Sequence, residues 1–149
     1  MPDPITYHTF GGALSPERQS SIADLYEQIF GSSAGRVKKK LSERSDFVTV
    51  VAEDPVRVVG FKIGYPDKEH RFYSWLGGVH SEYRRRGIGE EMMHRQHAYC
   101  RQAGFLTIRT KTTNHWRAML LLNICQGFNI TGTYVGEQGN VKIILEKQL

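Results

Sequence analysis

The segment Leu76-Gly77-Gly78-Val79-His80-Ser81-Glu82-Tyr83-Arg84-Arg85-Arg86-Gly87-Ile88-Gly89 concentrates the residues of this chain that could do chemistry. It reads as the end of a strand, a short basic loop and the start of a helix. The first turn of a helix carries unpaired N–H groups and the positive end of the helix dipole. Gly87 and Gly89 let the backbone bend and let a ligand come close. Arg84, Arg85 and Arg86 add charge that suits phosphate oxygens. With Ile88, these residues make an anion cradle. Two other phosphate-binding loops are excluded. No Gly-x4-Gly-Lys-Ser/Thr run occurs, and the dinucleotide fingerprint needs a glycine where Met92 stands.

Gly77-Gly78 carries a second signal. Paired glycines inside a strand mark a bulge or a close backbone approach. A bulge there would splay this strand from the next, Phe105 to Lys111. An extended, amide-bearing ligand could then pair with the freed edge. Upstream on the same strand, Tyr73 and Trp75 share one face and fit either an acceptor pocket or packing on a helix. Other catalytic arrangements are missing. His94 and His97 lie one turn apart but form no His-Glu-x-x-His pattern, so no metal site is expected. There is no Gly-x-Ser-x-Gly and no Ser-His-Asp arrangement that spacing can place. Cys100 and Cys125 sit in helical, apolar stretches and read as two reduced, buried thiols.

The elements that must position these residues follow from periodicity and punctuation. Ile5 to Phe10 is a candidate strand. Ser15 is a candidate N-cap with Pro16 after it, leading a helix with Ile22, Leu25 and Ile29 on one stripe, ended by Gly31. Ser33 to Ser42 reads as a short helix carrying Lys38-Lys39-Lys40, a solvated face or a collector of anionic substrates. Phe47 to Glu53 and Val56 to Tyr65 form a hairpin about Asp54-Pro55. Pro66 to Glu69 breaks the pattern, and His70 to Val79 is the next strand. Gly89 to Ala103 is a helix with Ile88, Met92, Tyr99 and Ala103 on one face. Phe105 to Lys111 is a strand, and Asn114 looks like the N-cap of a helix from His115 to Gln126. Phe128 to Val135 and Val141 to Glu146 are the last two strands. The order β α α β β β α β α β β describes a mixed α/β sheet in one domain, residues 1–149.

The 149 residues suffice for one core, with 40% hydrophobic residues, and the net charge of +5 suits an anionic partner. The first residues lack the pattern of a signal peptide, and no run of 18 apolar residues exists. A cytoplasmic location is the expectation, with no membrane partner.

The loop Arg84-Arg85-Arg86-Gly87-Ile88-Gly89 strongly resembles the Gln/Arg-x-x-Gly-x-Gly/Ala signature of the GNAT superfamily of N-acetyltransferases. Val79 to Tyr83 looks like its lead-in, and Asn114…Ala118…Asn123…Gly127-Phe128 resembles the family's second signature. The likeness covers nearly the whole chain. It implies a GNAT-like fold: a mostly antiparallel mixed sheet of six to seven strands flanked by about four helices. It also implies acetyl-CoA as acyl donor, with no metal. Backbone amides from about Arg85 to Gly89 would hold the pyrophosphate. Gly77, Gly78 and Val79 would pair with the pantetheine arm, and Asn114 would reach that arm. Where many members carry a tyrosine that protonates the leaving thiolate, this chain has Asn123. Asparagine cannot be a general acid but can donate a hydrogen bond to sulfur.

The expected reaction is direct attack by an amine of a small molecule or peptide on the thioester, without an acyl-enzyme. Deprotonating the amine is the harder proton problem: an alkyl ammonium of pKa about 10.4 is neutral in only ~1 part in 2500 at pH 7. Glu53, His80 and a water chain are candidate bases, and none stands out. One rival is a non-catalytic sensor that binds acyl-CoA. Another is a basic nucleic-acid binder, against which the chain lacks the aromatic-basic interleaving of a stacking platform. The acceptor stays open, as does the oligomeric state, with a homodimer among the options.

Overall fold

Among the described residues, seven strands and four α-helices form in the expected order. A computed structural model describes residues 3–31 and 34–149. Strand β1 (Thr6–Gly11) precedes α1 (Pro16–Phe30) and α2 (Ala34–Glu43). The hairpins β2 (Val48–Glu53), β3 (Val58–Lys68) and β4 (Arg71–Val79) follow. A 3-10 turn (Ser81–Tyr83) then leads to α3 (Ile88–Gln102), β5 (Thr107–Thr113), α4 (Arg117–Cys125), β6 (Asn129–Val135) and β7 (Val141–Gln148). The strands form one sheet in the order β1-β2-β3-β4-β5-β7-β6, with β4–β5 parallel and the other pairs antiparallel.

Local chemistry explains the ends of α1. The Ser15 hydroxyl accepts from the Arg18 amide at 3.2 Å, Pro16 fits the first turn, and Gly31 closes the helix at φ 66° with its N–H on the Glu27 carbonyl. The expected start of α2, Ser33, lies outside the described residues. The sheet separates two apolar layers. On one side α1 and α2 pack Ile22, Leu25, Val37 and Leu41 against Phe47, Val51, Phe61 and Ile63. On the other, α3 packs Ile88, Met92, Met93 and Cys100 against Val48, Val50, Ala52, Phe72 and Ile108. Strand β2 is therefore buried on both faces, and its Val-rich run lacks alternation for that reason.

Four expectations need correction. The break at Pro66 to Glu69 does not end β3, because Pro66 pairs with Phe72 and Lys68 with Arg71. Pairing of β2 stops at Gly64, so Pro66 has an open edge where no N–H is needed. The hairpin is tied by Asp67, whose carboxylate receives two hydrogen bonds from Arg71 at 2.9 Å. Asn114 is not an N-cap. It lies exposed in the turn after β5, and α4 starts at Arg117 behind Trp116 without a side-chain cap. Cys100 is buried, but Cys125, the last residue of α4, is exposed. Ala103 falls beyond the end of α3 and is exposed as well.

Candidate functional site

The basic loop leaves β4 through His80. That residue's amide bonds the Val59 carbonyl at 2.8 Å, and its Nδ1 accepts from the Glu82 amide at 3.1 Å. His80 is thus a cap for the 3-10 turn, and the ring nitrogen a base would use is engaged. Arg85 adopts φ 63° and Gly87 φ 75°, two left-handed residues that turn the chain into α3. That conformation strains a residue with a Cβ and so favours glycine at position 87. The first backbone bond of α3 runs from the Glu91 amide to the Gly87 carbonyl at 3.0 Å. Gly87 offers no side-chain cap, so among the described residues the amides of Ile88, Gly89 and Glu90 have no partner.

Ile88 and Gly89 divide their roles. Ile88 is buried against Val50, Ala52, Val59 and Met92 and pins the helix to the sheet. A Cβ on Gly89 would make only ordinary contacts, 3.7 Å to Leu122 and 3.9 Å to Val79. The protein's own packing does not require glycine there, although glycine costs a helix about 1 kcal/mol against alanine. Arg84 and Arg85 are exposed and form no ion pair among the described residues. Arg86 is partly engaged: it donates to the Asp3 carbonyl at 3.0 Å and lies 5.2 Å over the Tyr83 ring.

The sheet opens beside this loop. Pairing of β4 with β5 covers Arg71 to Ser74 and stops. From Leu76 to Val79, β4 stays paired with β3 alone. The bulge responsible lies at Trp75, between the Gly64–Ser74 and Ile63–Leu76 pairs, and not at Gly77-Gly78 as expected. Because the His80 amide points at β3, the alternation of an antiparallel ladder turns Gly77 and Val79 the other way, into the opening. Gly78 has a separate reason to be glycine: a Cβ there would come within 2.9 Å of Ile29 on α1. Across the opening, Phe30 at the end of α1 meets Trp116 edge-on at 5.0 Å. Asn114 lies two residues before that contact, in the loop beyond β5.

Asn123 on α4 is 2% exposed, and its carboxamide forms no hydrogen bond among the described residues. Tyr73 and Trp75 come together on the α1–α2 side of the fork. Tyr73 packs edge-on to Tyr65 at 5.5 Å, and Trp75 stacks on Phe47 at 6.0 Å. Burial pushes the Tyr73 phenol up to about 12, so it stays protonated. Lys40 lies 4.4 Å over Trp75 and 3.1 Å from the Tyr65 hydroxyl, and Lys111 lies over Tyr73. Of the lysine run, only Lys40 therefore reaches the fork. Glu53, the other candidate base, is held by Arg18.

One residue here was not singled out by sequence. Lys62, on β3, is 7% exposed and no carboxylate pairs with it among the described residues. Burial alone lowers its pKa from 10.5 to about 8. Its signal was a lone charge in the apolar run Val-Val-Gly-Phe-Lys-Ile, on a face that α3 proves to cover. The described residues include no group of three or more His, Cys, Asp or Glu placed to hold a metal. None of the described helices is long and apolar enough to cross a membrane.

A sequence profile for the acetyltransferase (GNAT) domain matches residues 45–122, more than half of the chain. The chain belongs to the GNAT family of acetyltransferases. As a GNAT member it is an acyltransferase, and its mixed seven-stranded sheet with four helices is the GNAT fold. Solved structures agree on that fold. The ribosomal-protein-S18-alanine N-acetyltransferase from Escherichia coli superposes with a TM-score of 0.77 at 15% identity, over 95% of this chain and 94% of that one. A GNAT-family protein from Desulfovibrio desulfuricans gives 0.83 at 14%, over 96% and 99%. A GNAT acetyltransferase from Elizabethkingia anophelis with acetyl-CoA bound gives 0.74 at 19%, over 97% and 98%. No curated protein sequence matches the chain.

Proposed function

We propose that residues 1–149 form one acetyltransferase domain that moves the acetyl group of acetyl-CoA to a primary amine of a small molecule or protein. The observation that carries this reading is the meeting of unpaired α3 amides with an unpaired β4 edge in one opening. A diphosphate suits the first and an extended amide-bearing arm suits the second. Acetyl-CoA has both, in that order along its length.

On this reading the amides from about Arg85 to Gly89 hold the pyrophosphate, and the Arg84 and Arg85 side chains add charge. Gly77 and Val79 pair with the pantetheine arm, while Gly78 keeps α1 close. Asn123 directs its buried carboxamide to the sulfur side. Asn114 sits at the mouth, where it contacts the arm from the β5–α4 loop. Bound acetyl-CoA supplies an acyl group already activated as a thioester. Tyr73 and Trp75 wall the acceptor side, and the amine attacks directly in a ternary complex. Positioning of two reactants can lower a barrier by roughly 7–11 kcal/mol, more than one proton transfer provides. Cys100 is unsuited to covalent catalysis, because burial pushes its thiol up to about 12. The location proposed is the cytoplasm.

Thiol release from acetyl-CoA with a panel of amines, read beside calorimetric binding of CoA, tests the proposal. Release that depends on an amine supports it. Tight CoA binding with no release for any amine would make the chain a sensor of the same fold. Failure of CoA to bind would refute the reading.

A further inference from the structure

Among the described residues, Lys62 is the one buried cation that the reaction described above leaves without a task. On β3 it lies opposite Gly77, a pair that makes no mutual backbone hydrogen bonds and so brings side chains close. The lysine side chain runs beside Gly77, within ordinary contact distance of a Cβ built there. Its Cγ lies 3.7 Å, and its Nζ 3.8 Å, from where a Cβ on Gly77 would be. The ammonium thus lies beside Gly77 of β4, the residue whose backbone faces the opening. A ligand strand paired with Gly77 and Val79 would lie about one strand spacing beyond β4, ~4.8 Å. Gly60 and Gly64 flank Lys62 on the same strand and face, where Met92 of α3 and Phe72 of β4 close over them and shut the lysine off on those sides. Of the titratable groups on this side, His97 of α3 is held neutral by burial, its pKa lowered to about 3, and Lys147 of β7 donates to its Nδ1. No carboxylate compensates the charge among the described residues.

We propose that Lys62 donates the proton that the leaving sulfur takes up during acyl transfer, a task for which Asn123 has no proton to give. The inference rests on the acetyl-CoA reading above. In the step, the amine nitrogen bonds to the carbonyl carbon, the C–S bond breaks, and its electron pair goes to sulfur. The Nζ–H proton passes to sulfur, leaving a free thiol and a neutral lysine. The proton shed by the amine nitrogen goes to water, and Lys62 recovers one from solvent before the next turnover. With a pKa of about 8, close to the ~8.5 of a thiol, the transfer is nearly balanced in free energy.

The test uses CoA itself bound to the intact chain. Its thiol is titrated by far-ultraviolet thiolate absorbance in wild type and in Lys62→Met, with calorimetry confirming saturation. An ammonium beside the sulfur should raise the acidity of the bound thiol about tenfold or more over free CoA in the wild type, and the gain should vanish in Lys62→Met. Intact-mass analysis after incubation with acetyl-CoA should find Lys62 unmodified. Equal titration in both proteins would overturn the proposal while leaving the acetyl-CoA reading intact. Acetyl-Lys62 would also overturn it, by placing Nζ at the acyl carbon. If CoA does not bind the wild type, both readings fall together.

Discussion

Replacing Lys62 with methionine should stabilise the protein. The methionine keeps most of the apolar stem that lies beside Gly77 and removes a charge that burial disfavours. The native pKa of about 8, against 10.5 for an ordinary lysine, is a shift of about 2.5 units. At about 1.4 kcal/mol per unit, the buried charge costs about 3 kcal/mol. The pH window follows from the depressed pKa. Below about pH 8 both the folded and the unfolded chain carry the proton, and the full cost is present. Between about pH 8 and 10.5 only the unfolded chain keeps it, so wild-type stability rises with pH. Guanidinium unfolding of both proteins from pH 6 to 10.5 should therefore show Lys62→Met ahead by about 3 kcal/mol at pH 7, with the gap closing by pH 10.5. For a domain of this size that is roughly 6–12 °C in Tm. Lys38→Met, on the exposed face of α2, is the control and should change stability by less than about 0.5 kcal/mol. A destabilised Lys62→Met, or a gap independent of pH, would refute the claim that Lys62 is a buried, uncompensated charge.

Other outcomes follow from the same packing. His97, held near 3 by burial and by Lys147 and Lys62, binds a proton in the unfolded chain below about pH 6.5 but not in the folded one. Stability should fall as pH drops from 6.5 toward 3, and His97→Leu should flatten that slope by about one proton in acid-unfolding titrations. Thiol labelling should modify Cys125 quickly and Cys100 only on unfolding, and serine at both positions should leave acyl transfer intact. A Cβ on Gly64 would overlap the Tyr73 carbonyl and the Phe72 ring. Gly64→Ala should thus cost about 3 kcal/mol by chemical denaturation, whereas Gly89→Ala should be neutral or stabilising by up to about 1 kcal/mol.

The cradle was legible in sequence because backbone demands residue types: a left-handed Gly87 before a helix can be read from spacing alone. The element order was legible for the same reason, since caps such as Ser15-Pro16 and Gly31 are local. What escaped depends on register and on distant partners. The bulge belongs to Trp75 because Gly64 and Ile63 set the pairing across β3, and no local feature of Gly77-Gly78 could show that. Lys62 reads as a solvent-facing residue of a half-buried strand until α3 is known to cover that face. Asn114 has the chemistry of a cap, but α4 begins three residues later, where Trp116 turns toward Phe30 of α1. Glycines also divide by cause only in three dimensions. Gly78 makes room for Ile29 and Gly64 for Phe72 and the Tyr73 carbonyl, whereas Gly77 and Gly89 make room for nothing within the chain.

Coenzyme binding as proposed depends most on the amides that open α3. Backbone 15N–1H spectra recorded as CoA is added measure them directly. The Ile88, Gly89 and Glu90 signals should move downfield as phosphate oxygens accept their hydrogens, and pantetheine, which lacks the diphosphate, should leave them in place. Saturation with CoA that shifts other residues and not these three would contradict the central claim.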